Sequence, residues 1–200
     1  MIRCVFDTET TGKWLKPLDF DHPGQPRIMT MGACLFDENF VELDSAYAIV
    51  KPEWPRELLQ AEAFEKHGVS YEQAMAEGVP WADAWWPMED LISQADQILI
   101  YNELFDRNLL NIETLLRFGQ QSYLNTRRSR IVCLMKLMTR IMQIPGQYGD
   151  WKWPKLEEAY EWLYGVPLAG NHNSETDART GGWCAYKLLE QNLWNGTDLC

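Results

Sequence analysis

Three β-prone runs occupy the first fifty residues with no helical period between them, and that order constrains the fold most. Residues 2–6 (Ile-Arg-Cys-Val-Phe) are apolar and end at Asp7, which reads as a buried strand delivering an acid at its end. A Gly/Pro-rich loop runs from Gly12 through Pro17 to Pro26. Runs 28–36 and 41–50 follow, separated only by Asp37-Glu38-Asn39, a hairpin signal. The chain therefore opens with consecutive strands, not with a βαβ unit. Downstream, helical stretches are predicted over 55–66 (Pro55 at the first turn, His67-Gly68 as the stop), 81–93, 104–118, 134–142, 155–164 and 174–193, with strands at 97–101 and 130–133. Leu109, Ile112, Leu115 and Leu116 give the third helix an apolar stripe. This order predicts an α/β fold with a mixed central sheet flanked by helices. The loop 143–154, with Gly146, Gly149, Trp151 and Trp153, is the best candidate for a variable, mobile insertion.

With 200 residues, 46% of them apolar and ten of them Trp, the chain can bury a sizeable core, expected as one domain over 1–194 with a short tail, 195–200. The net charge of −11 argues against gripping nucleic acid by bulk charge alone, although a site that holds cations needs carboxylates. The charge is uneven. Between Thr114 and Gly149 there is no acid, while Arg117, Arg127, Arg128, Arg130, Lys136 and Arg140 fall there. That stretch is a candidate phosphate track or a solvated face pairing with acidic neighbours. Five widely spaced cysteines without a C-x-x-C pair suit reduced thiols in a cytoplasmic protein. No signal peptide and no run of 18 apolar residues is seen, so no membrane is expected as a partner.

Asp7-Thr8-Glu9 is the first site signal, because residues i and i+2 of a strand face one side and can meet one metal ion. An acid at the end of an apolar strand is costly to bury unless paired or metal-bound; the alternative is a solvated strand end. Thr10-Thr11-Gly12 makes a tight turn whose amides can approach a nucleotide. Asp106, at the start of the helix after strand 97–101, is by itself a helix N-terminal acid favoured by the dipole. His172 and Asp177, at the entry to the last helix, are by themselves surface residues as readily as catalytic ones.

Taken together, Phe6-Asp7-Thr8-Glu9-Thr10-Thr11-Gly12, Asn102-Glu103-Leu104-Phe105-Asp106 and His172-Asn173-Ser174-Glu175-Thr176-Asp177-Ala178 resemble the three exonuclease motifs of the DnaQ-like (DEDDh) superfamily, whose fold is ribonuclease H-like. The resemblance runs from about residue 2 to residue 190. Residues 28–33 resemble the family's second strand and His67-Gly68-Val69-Ser70 its helix-ending turn. Two positions depart from the pattern: Tyr101 stands where His is usual and Ser174 where Ala is usual.

The resemblance implies a 3′→5′ exonuclease releasing nucleoside 5′-monophosphates, with two divalent ions, Mg²⁺ or Mn²⁺. It implies that Asp7 bridges the ions, Glu9 and Asp177 complete one site, Asp106 supports the other, and His172 is the general base. Thr10, Thr11, Gly12 and Asn102 would contact the terminal nucleotide, and Trp14 would stack on its base or pack on the domain. Trp85, Trp86, Trp151 and Trp153 are weaker stacking candidates. The expected partners are 3′ ends of single-stranded DNA, favoured over RNA, with a separate polymerase or repair protein and a homodimer as further possibilities. The competing readings are an RNA 3′-end-processing enzyme and a binding or scaffold module that does not cut.

Overall fold

The computed structural model describes residues 1–127, 130–169 and 173–197. A five-stranded sheet organises them, in the order β3-β2-β1-β4-β5. Its strands are β1 (Arg3–Thr10), β2 (Ile28–Phe36), β3 (Glu42–Ile49), β4 (Gln97–Ile100) and β5 (Ile131–Cys133). β1–β2 and β2–β3 pair antiparallel, the first across the long loop 11–27 and the second across the short turn 37–41, while β4 pairs parallel to both β1 and β5. The expected mixed sheet flanked by helices is what the chain forms.

Strand pleat sorts the side chains into two cores. Cys4 and Phe6 of β1 join Met31 and Ala33 of β2 against α3 (Trp81–Gln94) and α4 (Glu103–Phe118). Val5, Cys34 and Phe36 point the other way, into α6 (Leu134–Met142), α7 (Leu156–Tyr164) and α8 (Ser174–Glu190). β2 is buried along all nine residues because both faces are covered. β3, at the sheet edge, is largely exposed. Cys4, Cys34, Cys133 and Cys184 are buried and none of them is in a disulfide; Cys200 lies outside the described residues. Among the described residues, no helix is long and apolar enough to cross a membrane.

The structure departs from the sequence reading in four places. β1 does not stop at Phe6; its ladder with β2 continues to Thr10, so Asp7 sits opposite Gly32 and Glu9 opposite Thr30 inside the sheet. The helix predicted over 55–66 divides into a 3₁₀ turn, Arg56–Leu58, and α1 (Ala61–His67), because Leu59 and Gln60 are extended and the Gln60 amide donates to the Thr11 carbonyl (2.9 Å). Gly68, at φ 72°, ends α1. α2 (Tyr71–Glu77) was not predicted, although Ser70 and Gln73 have capping-box spacing and the Ser70 hydroxyl accepts the Gln73 amide. A single turn, α5 (Tyr123–Thr126), also went unpredicted. Past α8, Arg3 lies over Trp194 and Gln97 Nε2 donates to the Gly196 carbonyl (3.1 Å).

Candidate metal centre and its cleft

Asp7 and Glu9 share the β1 face that α8 covers. Their third partner depends on a missing side chain: Gly32, opposite Asp7, carries no Cβ, and one placed there would lie 2.2 Å from the Glu175 amide nitrogen and 2.3 Å from the Ser174 carbonyl carbon. Only glycine lets the first turn of α8 rest directly on the sheet. That turn is fixed by the Asn173 side chain, which accepts the Glu175 and Thr176 amides. It is also fixed by a hydroxyl pair, Thr30 Oγ1 to Ser174 Oγ at 2.9 Å. Asp177, in the same turn, is thereby delivered beside the β1 acids. One carboxylate oxygen from each of Asp7, Glu9 and Asp177 lies within 4.8 Å of the others, so the three can hold a metal ion.

Asp106 stands at the edge of this trio, buried in the first turn of α4. Its Oδ1 accepts the Thr8 amide (3.1 Å) and the Thr8 hydroxyl (2.7 Å), which ties α4 to β1 between the two strand acids. Burial, followed by the charges of Asp106, Asp177 and Glu9, holds the Asp7 carboxyl well above the usual carboxylate range. Burial pushes Asp106 up to about 7, with Glu9 adding to the shift and the Thr8 hydrogen bonds opposing it. Four acids thus converge, three of them close enough to share one ion. His172 lies outside the described residues.

The acids form the floor of a cleft of about 610 Å³, within the range of small-molecule sites. Thr10, Gly12 and Asn102, all expected nucleotide contacts, line it. Thr11 does not; it is fully buried, its hydroxyl accepting the Arg27 amide and its own amide donating to the Arg27 carbonyl. Trp14 is also absent from the cleft wall and stacks instead on Phe20 (centroids 5.6 Å apart), packed against the core. Trp85 is buried and Trp86 exposed.

Several lining residues escaped the sequence reading, among them Lys13, Gln60, Lys66 and Glu157. Burial works against the Lys66 ammonium, but Glu9, Asp7 and Asp177 outweigh it and raise its pKa. Its position just before the His67-Gly68 turn was the available signal. The basic stretch is broken up as well. Arg117 is internal, paired with Glu113 and Glu53 and lying 4.9 Å over the Trp81 ring. Lys136 reaches Glu103 (3.6 Å), Arg127 covers Tyr123, and Arg128 lies outside the described residues. Tyr101, the departure before motif II, donates to the carbonyls of Pro154 (3.0 Å) and Lys155 (2.8 Å) and so tethers the loop before α7 to the end of β4.

By sequence, the chain matches no family model and no curated protein. By structure, it is similar to E. coli exonuclease I in complex with a dT13 oligonucleotide (TM-score 0.71, 19% identity, 94% of this chain and 40% of that one). A zinc-bound complex of the E. coli enzyme with single-stranded DNA gives a TM-score of 0.69 at 19% identity, over 95% of this chain and 40% of that one. The chain spans about two fifths of the length of these exonuclease I chains. It is also similar to the nuclease domain of 3′hExo, a DEDDh family member bound to rAMP (TM-score 0.69, 16% identity, 100% of this chain and 94% of that one). The sheet order, the helices on its two faces and these likenesses agree, and the chain has the ribonuclease H-like fold of the DnaQ-like, DEDDh exonucleases.

Proposed function

We propose that this chain is a metal-dependent 3′→5′ exonuclease that releases nucleoside 5′-monophosphates, with single-stranded DNA its favoured substrate. The observation that carries the reading is the convergence of Asp7, Glu9 and Asp177, with Asp106 beside them, at the floor of an open cleft. The donors are all carboxylate oxygens, with no thiolate or imidazole among the described three, which suits the hard ions Mg²⁺ and Mn²⁺. When bound, two such ions stabilise the attacking and leaving oxygens of a phosphodiester together.

The chain's own residues hold and orient the substrate. Asp7, Glu9 and Asp177 would hold an ion between them, and Asp106, steadied by Thr8, completes the acidic floor. Thr10 and Gly12, in the turn after β1, and Asn102, at the start of α4, offer polar groups to the terminal nucleotide. Lys66 presents a cation beside the acids, placed to meet a phosphate oxygen. His172 takes the proton from the attacking water, since an imidazole titrates near neutral pH where a carboxylate beside metal would be too acidic.

The second reading, an exonuclease on RNA 3′ ends, is favoured by the likeness to the 3′hExo nuclease domain, solved with rAMP. One experiment separates the readings: 3′- and 5′-labelled single-stranded DNA, duplex DNA and RNA incubated with Mg²⁺, Mn²⁺ or EDTA. Stepwise loss of mononucleotides from the 3′ end of single-stranded DNA, abolished by EDTA and by Asp177→Asn, is expected. His172→Ala should slow the chemical step roughly 10²–10⁴-fold. Metal-independent release, or turnover of Asp177→Asn within about tenfold of wild type, would overturn the assignment. Partner proteins and self-association belong to the same proposal and are read by size-exclusion chromatography of the chain alone and with a polymerase.

A further inference from the structure

Between α6 and α7 the chain builds a small hairpin that the chemistry above leaves unused. Pro145 and Trp151 form an antiparallel bridge. The Gly146 amide donates to the Asp150 carbonyl (2.7 Å) and the Lys152 amide to the Ile144 carbonyl (2.9 Å). Gly149, at φ 84°, turns the chain at the tip, a backbone angle that side-chain-bearing residues rarely adopt. Backbone pairing of this kind fixes the directions of the side chains it carries. Those side chains are large and wet: Tyr148 is 87% exposed, Trp153 61% and Trp151 48%. Three big rings left in water within six residues forgo burial that the fold takes elsewhere, which marks a binding surface.

Two observations say what covers it. The first is continuity. Trp153 lines the hairpin's own groove with Tyr148 and Trp151, and it also lines the carboxylate cleft with Pro154 and Lys155. The Tyr101 hydroxyl, bonded to the Pro154 and Lys155 carbonyls, anchors this junction to the end of β4. A strand whose 3′ end sits over the acids thus has a continuous path out of the cleft past Trp153 onto the hairpin. The second is charge. At a net −11 the protein does not hold a polyanion by bulk attraction, so beyond the few cations of the cleft the affinity for a strand draws on contacts that are not ionic. Stacking of bases on aromatic rings supplies such contacts, tolerates any sequence, and is open only to bases whose faces are not already covered in a duplex.

We propose that the 145–153 hairpin is a stacking platform for single-stranded nucleic acid, taking the bases upstream of the 3′-terminal nucleotide and making the enzyme prefer unpaired ends. The inference rests on the exonuclease reading for the direction of the strand. Its test is kept separate from hydrolysis. Fluorescently labelled dithymidylate and octathymidylate are titrated in EDTA against wild type, Tyr148→Ala/Trp151→Ala and Tyr148→Phe/Trp151→Phe, with anisotropy as the readout.

Wild type should bind the octamer far more tightly than the dimer. The alanine pair should lose about tenfold or more in octamer affinity with little change for the dimer, and the phenylalanine pair should restore most of the loss. An alanine pair that binds the octamer as wild type does would overturn the platform and leave the hairpin to a protein partner. Equal losses for both oligonucleotides would also overturn it, since the hairpin would then only prop the cleft. A phenylalanine pair as weak as the alanine pair would exclude stacking. If wild type binds the octamer in this length-dependent way but cuts nothing with Mg²⁺ or Mn²⁺, the exonuclease reading falls and the platform stands.

Discussion

Asp106 and Glu113 lie two turns apart on α4, and both are buried, yet their surroundings are opposite. Glu113 accepts Arg27 Nε (3.0 Å) and Nη2 (2.6 Å), the Ile28 amide (2.8 Å) and Arg117 Nε (2.9 Å). Its charge is matched by two guanidiniums, one of which also pairs with Glu53. Among the described residues the side-chain partner of Asp106 is Thr8, which is neutral, and the charges that act on its carboxyl are those of Glu9 and Asp7. One helix thus carries a buried acid neutralised by the protein and another set beside like charges. Burial alone does not separate structure from chemistry; the sign of the neighbouring charge does.

The strongest way to break this contrast is to remove one charge from each cluster. Asp7→Asn should lower hydrolysis by roughly 10³-fold or more, several kcal/mol of lost transition-state stabilisation, while leaving the metal-free protein at least as stable as wild type because a repelling charge is gone. Glu113→Gln should do the reverse. It strands Arg27 and Arg117 in the interior at a cost of about 3–5 kcal/mol, roughly a 10 °C fall in Tm, with the metal ligands untouched. Thermal melts in EDTA and turnover in Mg²⁺ read both. The contrast fails if the two variants destabilise the metal-free protein equally.

How much of this was legible beforehand follows the range of each interaction. α6 was predicted residue for residue, because its apolar spacing is local, and the three acidic motifs were visible because each is a short run. Gly32 was invisible as a site determinant, since its importance depends on Ser174 and Glu175, more than 140 residues away, landing on it. Arg117 stood open between a phosphate track and a face pairing with acidic neighbours, because composition counts charges without showing that Glu113 and Glu53 lie against this one. Trp14 stood open between a base and the domain, because proximity in sequence to Asp7 does not reveal Phe20 as its stacking partner. Lys66 was missed because a lone lysine in a helix carries no pattern of its own beyond its place before the His67-Gly68 turn.

A subtler test uses protons in place of mutations. Asp106 titrates ordinarily at 3.8 and is pushed up to about 7 in the fold, and Asp7 is raised in the same direction. The native state therefore binds more protons than the unfolded chain between these values, so stability is greatest on the acid side and falls as pH rises from about 4 to about 7. The loss should be on the order of 2–4 kcal/mol, a fall in Tm of roughly 5–10 °C in EDTA between pH 5 and pH 8. Saturating Mg²⁺ favours the ionised acids and should recover most of the fall at pH 8 while adding little at pH 5. Asp106→Asn should flatten the profile in EDTA. A wild-type Tm in EDTA that stays level or rises across this range would mean that the acids are neutralised from within, as Glu113 is.

The smallest expected effect concerns how the site is held. Ser174 stands where the family usually has Ala, and its hydroxyl meets Thr30 Oγ1 at 2.9 Å between two fully buried groups. Ser174→Ala leaves Thr30 without that partner and should cost about 1–2 kcal/mol, a few degrees in Tm. Removing both hydroxyls with Thr30→Val/Ser174→Ala should be nearly neutral, because an absent pair costs less than an orphaned half. The coupling between the two positions, about 1 kcal/mol in a double-mutant cycle, is then the strength with which β2 pins the first turn of α8. Because that turn delivers Asp177, the single variant should also need more Mg²⁺ for half-maximal turnover, by a few-fold. Additive single changes, with an unshifted metal requirement, would assign the placement of Asp177 to Gly32 and the Asn173 cap alone.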